Sequence, residues 1–199
     1  MEGIFYYWIM WGAFIAAAFL WKKSAERTIA VFFILINLAS SQMFIHTSSF
    51  SVGMAYLEIW GLSFGLIAVK RYFTSFSFLL LAFAMMAGYT AIMLFQLFDP
   101  VWFIIDRFYI LLILFGGLSL YFGKDFLNRL SLFIVALSQG EFLYWAVLRH
   151  FYDGLTIGGH GYLDLLAAGG GVIGIWSAVE YFSHNAGQYV YKKQNERQG

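Results

Sequence analysis

Glu58, Glu141, Asp106 and Asp164 are carboxylates set inside runs that are otherwise apolar, and this placement is the strongest chemical signal in the chain. An ionisable group at mid-bilayer costs roughly 2.5–3.5 kcal/mol to insert, so it needs a counter-charge, a water-filled cavity or a proton. At 1.5 Å per residue Glu58 lies about 10 Å below one end of its run. Glu141, eight residues before Arg149, is comparably deep from the same side. Asp106 and Arg107 fall a turn or two inside the next run, and Asp164 about one turn inside the last. All five belong to one half of the membrane. The pattern suits an outward-facing polar cavity lined by Glu58, Arg107, Glu141, Arg149 and Asp164, with the arginines as counter-charges. Such a site would serve proton-coupled transport or cation binding. The plainer alternative is that Asp106, Arg107, Arg149 and Asp164 snorkel to the headgroups or pair for assembly, with no substrate.

A second chemistry would use His46, His150 and His160, which fall on the same side with Asp153 and Asp164 near them. Histidine and aspartate ligands could bind a divalent metal, and a zinc-bound water could serve a membrane hydrolase. The spacing matches no compact signature such as H-E-x-x-H, so no metal and no cofactor are expected, and interfacial histidines are the simpler reading. Ser138 lies in no G-x-S-x-G context. The chain has no cysteine, which excludes thiolate zinc sites, iron–sulfur clusters and cysteine nucleophiles. A non-enzyme is favoured. Asn37, Ser40, Ser41 and Gln42 form an uncharged polar stripe, and Gln139 is a further polar group; interhelical hydrogen bonding accounts for them.

The elements that must carry these residues are membrane spans. Of 199 residues 61% are hydrophobic and 12% charged, against roughly 25% charged in a soluble domain. The formal net charge of +1 leaves no basic field for nucleic acid. A span needs about 20 mostly apolar residues. Seven runs meet that need, at about 3–21, 28–45, 51–69, 72–98, 101–123, 130–149 and 161–182. The expected fold is all-α, a seven-helix polytopic membrane bundle over 1–183 with a short polar tail over 184–199. Short connections predict consecutive spans as antiparallel neighbours. The one proline, Pro100, falls in a turn. Met1-Glu2-Gly3 lacks a basic n-region, so the first run reads as a retained span.

Basic residues set the orientation. Lys22, Lys23, Arg27, Lys70, Arg71, Lys124, Arg129, Lys192, Lys193 and Arg197 all fall on one side of a seven-span plan. The positive-inside rule then puts the N-terminus outside and the C-terminus in the cytoplasm. Tyr6, Tyr7, Trp8, Trp11 and Trp102 suit an aromatic belt. Gly61 and Gly65 share a helix face with Glu58, and Gly170 with Gly174 forms another small-xxx-small pair. Such faces predict close helix packing, within the chain or against a second copy or another membrane protein.

The opening run Met1-Glu2-Gly3-Ile4-Phe5-Tyr6-Tyr7-Trp8, followed by a chain of this length made almost wholly of spans, resembles the YphA-like family of membrane proteins from Bacillus-type Firmicutes. The resemblance implies a bacterial cytoplasmic-membrane location, with the lipid bilayer as partner, and it carries over no assigned reaction and no active-site residues. The leading expectation is a multi-pass membrane protein acting as a small transporter or ion-coupled permease. A metal-dependent membrane hydrolase and a non-catalytic assembly protein are the alternatives.

Overall fold

A computed structural model describes residues 3–47, 50–69, 76–99, 101, 104–152 and 154–198, with the backbone alone over 184–198. Met1, Glu2, Lys70, Arg71, Pro100, Trp102 and Asp153 lie outside the described residues, as do the side chains of Lys192, Lys193 and Arg197. The elements in chain order are α1 (Ile4–Ile15, continued by a π-helical turn over Ala16–Leu20), α2 (Ala25–Ser40), β1 (Phe44–His46), β2 (Phe50–Gly53), α3 (Met54–Val69), α4 (Phe76–Phe98), α5 (Arg107–Phe122), α6 (Phe126–Leu148), β3 (Leu155–Ile157) and α7 (His160–Gln198). Three helical stretches are long and apolar enough to cross a membrane: α4, α6 and His160–Ser183 of α7. Ile4–Leu20, Met54–Ala68 and Arg107–Phe122 are shorter and apolar.

Local chemistry sets the helix ends. The Ser24 hydroxyl accepts from Arg27 N at 3.2 Å and starts α2, and Asp106 accepts from Phe108 N at 2.8 Å and starts α5. Gly3, which precedes α1, has no side chain to cap it. The starts of α1, α3, α5 and α7 gather with the ends of α2, α4 and α6 at one end of the bundle. Phe5 of α1 stacks on Phe108 of α5 at 5.3 Å, Gln96 of α4 meets Arg107, and Tyr6 meets Asn37 of α2.

A three-stranded sheet in the order β1-β2-β3 marks that end. β1 and β2 are antiparallel, whereas β2 and β3 are parallel, with Phe50 opposite Leu155 and Val52 opposite Ile157. Ile157 is buried, and Phe50 and Val52 pack on the core, so the sheet covers the ends of the helices.

The core gathers on α6, which packs on α3, α4, α5 and α7. Eleven of its 23 residues are buried, including Phe133, Ala136, Leu137 and Ser138. Small residues admit the neighbours. A Cβ at Gly140 would lie 2.7 Å from Tyr89 Cδ1, and one at Gly169 of α7 would collide with the Phe133 ring. Helix α7 also packs on α1 and α5.

Four features depart from the sequence expectation. The sheet takes Phe44, Ile45 and residues 51–53 from the ends of assigned spans and Leu155–Ile157 from the last connection, because strands of three or four residues leave no mark on a 20-residue window. Helix α5 starts at Arg107 rather than at 101, with Asp106 outside it as the cap. Helix α4 has α6 as its main partner instead of its chain neighbours α3 and α5. Finally, α7 runs without a break through Gln198, so the segment after 183 continues the last helix, whose 39 residues extend about 58 Å.

Candidate functional site

The five residues proposed to line one cavity are distributed over separate contacts. Asp164, buried in the first turn of α7, accepts from Gly3 N at 2.6 Å and Tyr6 N at 2.7 Å. It is the cap that α1 lacks, supplied by another helix. Its negative charge faces the positive end of the α1 dipole, which explains its burial without a basic partner.

Glu58 belongs to a second network. Its Oε2 accepts from Asn37 Nδ2 at 2.9 Å, and the same amide nitrogen donates to Ala55 O at 3.0 Å. Asn37 is fully buried, and its Oδ1 accepts from Tyr6 Oη at 2.8 Å. Tyr7 Oη shares a hydrogen bond with Ser41 Oγ at 2.8 Å and accepts from Gln42 Nε2. The uncharged stripe on α2 therefore joins α1 to α3.

Glu141 anchors the third network, in the middle of the bundle. Its Oε2 accepts from Tyr89 Oη at 2.7 Å, and its Oε1 from Gly158 N at 3.3 Å. Around it, Thr90 Oγ1 donates to Gly140 O, Tyr56 Oη to Ser138 O, and Tyr162 Oη to Ser138 Oγ, each at 3.0 Å. Gly158 has φ +67°, and a Cβ there would run into the Tyr56 side chain. The residue after β3 must be glycine both for its backbone and for this close approach.

Helix geometry separates the two glutamates. Residues two apart on a helix point about 200° from each other. Tyr56 faces α6, so Glu58 faces away, toward α2. Arg107 and Arg149 are both exposed; Arg107 donates to Gln96 Oε1 at 3.3 Å, and the Arg149 guanidinium lies 5.4 Å from the centre of the Trp145 ring. Neither forms an ion pair with a carboxylate among the described residues. Among the described residues the one ion pair is Arg129–Glu180, at the end remote from the sheet.

The histidines stay apart as well. His46 bonds Ser51 Oγ at 2.8 Å, His160 sits edge-on to Phe44 with ring centres 6.0 Å apart, and His150 is exposed past the end of α6. No group of three His, Asp or Glu side chains among the described residues could hold a metal ion. A Cβ at Gly61, Gly65 or Gly174 would meet nothing within 4 Å, while one at Gly170 would touch Leu130 at 3.7 Å. Gly61 and Gly65 thus make no close helix contact among the described residues.

The sequence reading missed the tyrosines. Tyr56, Tyr89 and Tyr162 lie inside apolar helices, not at the belts, and a buried phenol needs a partner for its O–H. That rule, applied to Tyr89 in a long uncharged run, pointed to an acceptor such as Glu141.

The family model for YphA-like integral membrane proteins matches residues 2–199. The chain belongs to that family. The uncharacterised protein YphA of Bacillus subtilis (strain 168) is 30% identical over 204 aligned residues, which cover 100% of this chain and 98% of that protein. No solved structure matches. As a YphA-like protein the chain is an integral membrane protein, so the exposed apolar side chains of its helices face lipid, and Glu141 and Asp164 are carboxylates sheltered from it.

Proposed function

We propose that this protein is a small proton-linked permease of the bacterial cytoplasmic membrane, with Glu141 as its proton-carrying group. One observation carries the reading: a carboxylate buried in the central helix is held by neutral donors alone, Tyr89 on α4 and Gly158 beside the sheet. A glutamine could fill a purely structural role there, and an intramembrane carboxylate with no ion-pair partner among the described residues is costly while charged, Arg107 acting on it only from a distance. A proton arriving on Oε2 would take over the hydrogen bond, the Tyr89 hydroxyl turning from donor to acceptor. Proton binding is thereby linked to the segment that covers the end of the bundle.

Proton uptake by purified protein, followed by the infrared carboxyl band, should titrate in the parent and vanish in Glu141→Gln. Proteoliposomes carrying that variant should lose solute-linked proton flux. An unchanged band and unchanged flux would remove the reading. The accompanying orientation, seven spans with the sheet end outside and the C-terminus in the cytoplasm, is supported by the ten basic residues that the seven-span plan assigns to the other side. A C-terminal reporter fusion active only outside would overturn it.

An assembly role is the second reading, favoured by the open faces at Gly61 and Gly65. Gly61→Leu should then break a complex with another membrane helix while leaving the monomer folded, as read by size in detergent.

A further inference from the structure

We propose that the sheet end of the bundle is sunk into the border of one leaflet, where an apolar rim on its connections is covered by phospholipid chains. This placement involves no solute and stands apart from the permease reading. The rim consists of Met43 and Ile45 at β1, Phe98 at the end of α4, Ile104 and Ile105 before α5, and Phe151 after α6. All six are exposed, Ile104 at 96%, Phe98 at 78% and Phe151 at 76%. They come from three separate connections, and apart from Phe98 none is helical. So large an apolar surface on the connections marks contact with something other than water.

The opposite end is made differently. Lys22, Lys23 and Ser24 follow α1 there, Lys124 and Asp125 follow α5, and all are exposed. Charges so close together stand among headgroups or in water, and they mark one border of the hydrocarbon.

Helix lengths then locate the other border. Helices α5 and α6 pack together and meet at the turn of Gly123, Lys124 and Asp125. From that turn α5 runs 16 residues and α6 runs 23, about 24 Å and about 34 Å. Helix α1 with its π-helical turn covers Ile4–Leu20, about 25 Å. Against a hydrocarbon core of about 30 Å, α6 crosses completely while α1 and α5 stop roughly 5 Å short. Tilting would only widen the shortfall. Because α1 and α5 are pinned by charges at the far end, the missing depth lies at the sheet end, where Ile104 and Ile105 extend the apolar stretch before α5. Irregular backbone is not tolerated facing lipid inside the hydrocarbon, so the rim lies at its edge, with the backbone hydrated and the apolar side chains among the lipid chains. Charge agrees with this level. Arg107 and Arg149 are exposed at the same end and form no ion pair among the described residues, so lipid phosphates are within reach of their guanidinium groups. Of the nearby carboxylates, Asp106 is occupied as the cap of α5 and Asp99 is partly buried.

The absence of native cysteine makes the test direct. Single nitroxide labels are placed at Ile45→Cys, Ile104→Cys and Phe151→Cys in the full chain, in vesicles of phosphatidylglycerol and phosphatidylcholine. Collisions with oxygen, which dissolves in hydrocarbon, are compared with collisions with a polar nickel chelate, which does not. Lys124→Cys supplies the value for water, and Ile113→Cys, 73% exposed on α5, supplies the value for lipid and shows that the bundle is folded. All three rim labels should give an oxygen-to-nickel ratio at least about fivefold above that of Lys124→Cys. A ratio at Ile45→Cys and Ile104→Cys equal to that of Lys124→Cys overturns the placement, since the rim then stands in water. Exclusion of both reagents at these positions overturns it as well, since a second copy or another protein then covers the rim.

Discussion

The two ends of α6 are fixed by opposite means. Toward the sheet, Glu141 receives hydrogen bonds from a hydroxyl and a backbone amide, all of them buried. At the other end Arg129 is the donor, its acceptors being a backbone carbonyl, a hydroxyl and an exposed carboxylate. The first arrangement excludes water from every partner, so breaking it strands a buried polar group. In the second, water can replace the charged partner as it leaves. One helix is thus held by enclosed hydrogen bonds at one end and tied through a half-exposed ion pair at the other.

The contrast can be tested by thermal unfolding in detergent, starting with the largest effect. Gly158→Ala should cost about 3 kcal/mol or more, adding left-handed strain of about 1–2 kcal/mol to overpacking against Tyr56. A loss under about 1 kcal/mol would mean that the sheet end yields easily, which breaks the comparison. Asp164→Ala should cost about 2–3 kcal/mol by stripping two charge-assisted bonds from the start of α1, and Asp164→Asn about half as much. Tyr89→Phe leaves one Glu141 oxygen unpaired and should cost about 1–2 kcal/mol. Ser177→Ala removes a 3.4 Å contact and should stay within about 0.5 kcal/mol. Glu180→Gln should leave the midpoint unchanged within error; a drop larger than that of Asp164→Ala would reverse the ranking of the two ends.

Much of this was legible in the sequence, and the illegible part has physical causes. Membrane character followed from hydropathy, because lipid leaves the backbone few choices. That Glu141 sits inside an apolar helix was also legible, and the residue is buried there. Its partners were not, since they come from α4 and from the residue after β3, 52 positions upstream and 17 downstream. Asp164 looked like a cavity residue because a carboxylate one turn into a span gives no hint that another helix's uncapped start will claim it. Arg129 read as a loop charge that merely orients the chain. Starting α6 at Phe126 turned it inward and made it structural. Glu58 shared a face with Gly61 and Gly65 as periodicity required, yet among the described residues that face meets no helix at the glycines.

The parallel pairing of β2 with β3 also bears on how the molecule is made. The β1–β2 hairpin can form as soon as its own residues have been made, but Phe50 must wait for Leu155, 105 residues later, to complete the sheet. A contact so distant in sequence forms late, after the intervening helices have been inserted and docked. Closure of the sheet therefore comes only after α6 has been made. Until α6 and β3 have been made an edge of β2 stays unpaired, and the start of α1 stays uncapped until α7 brings Asp164.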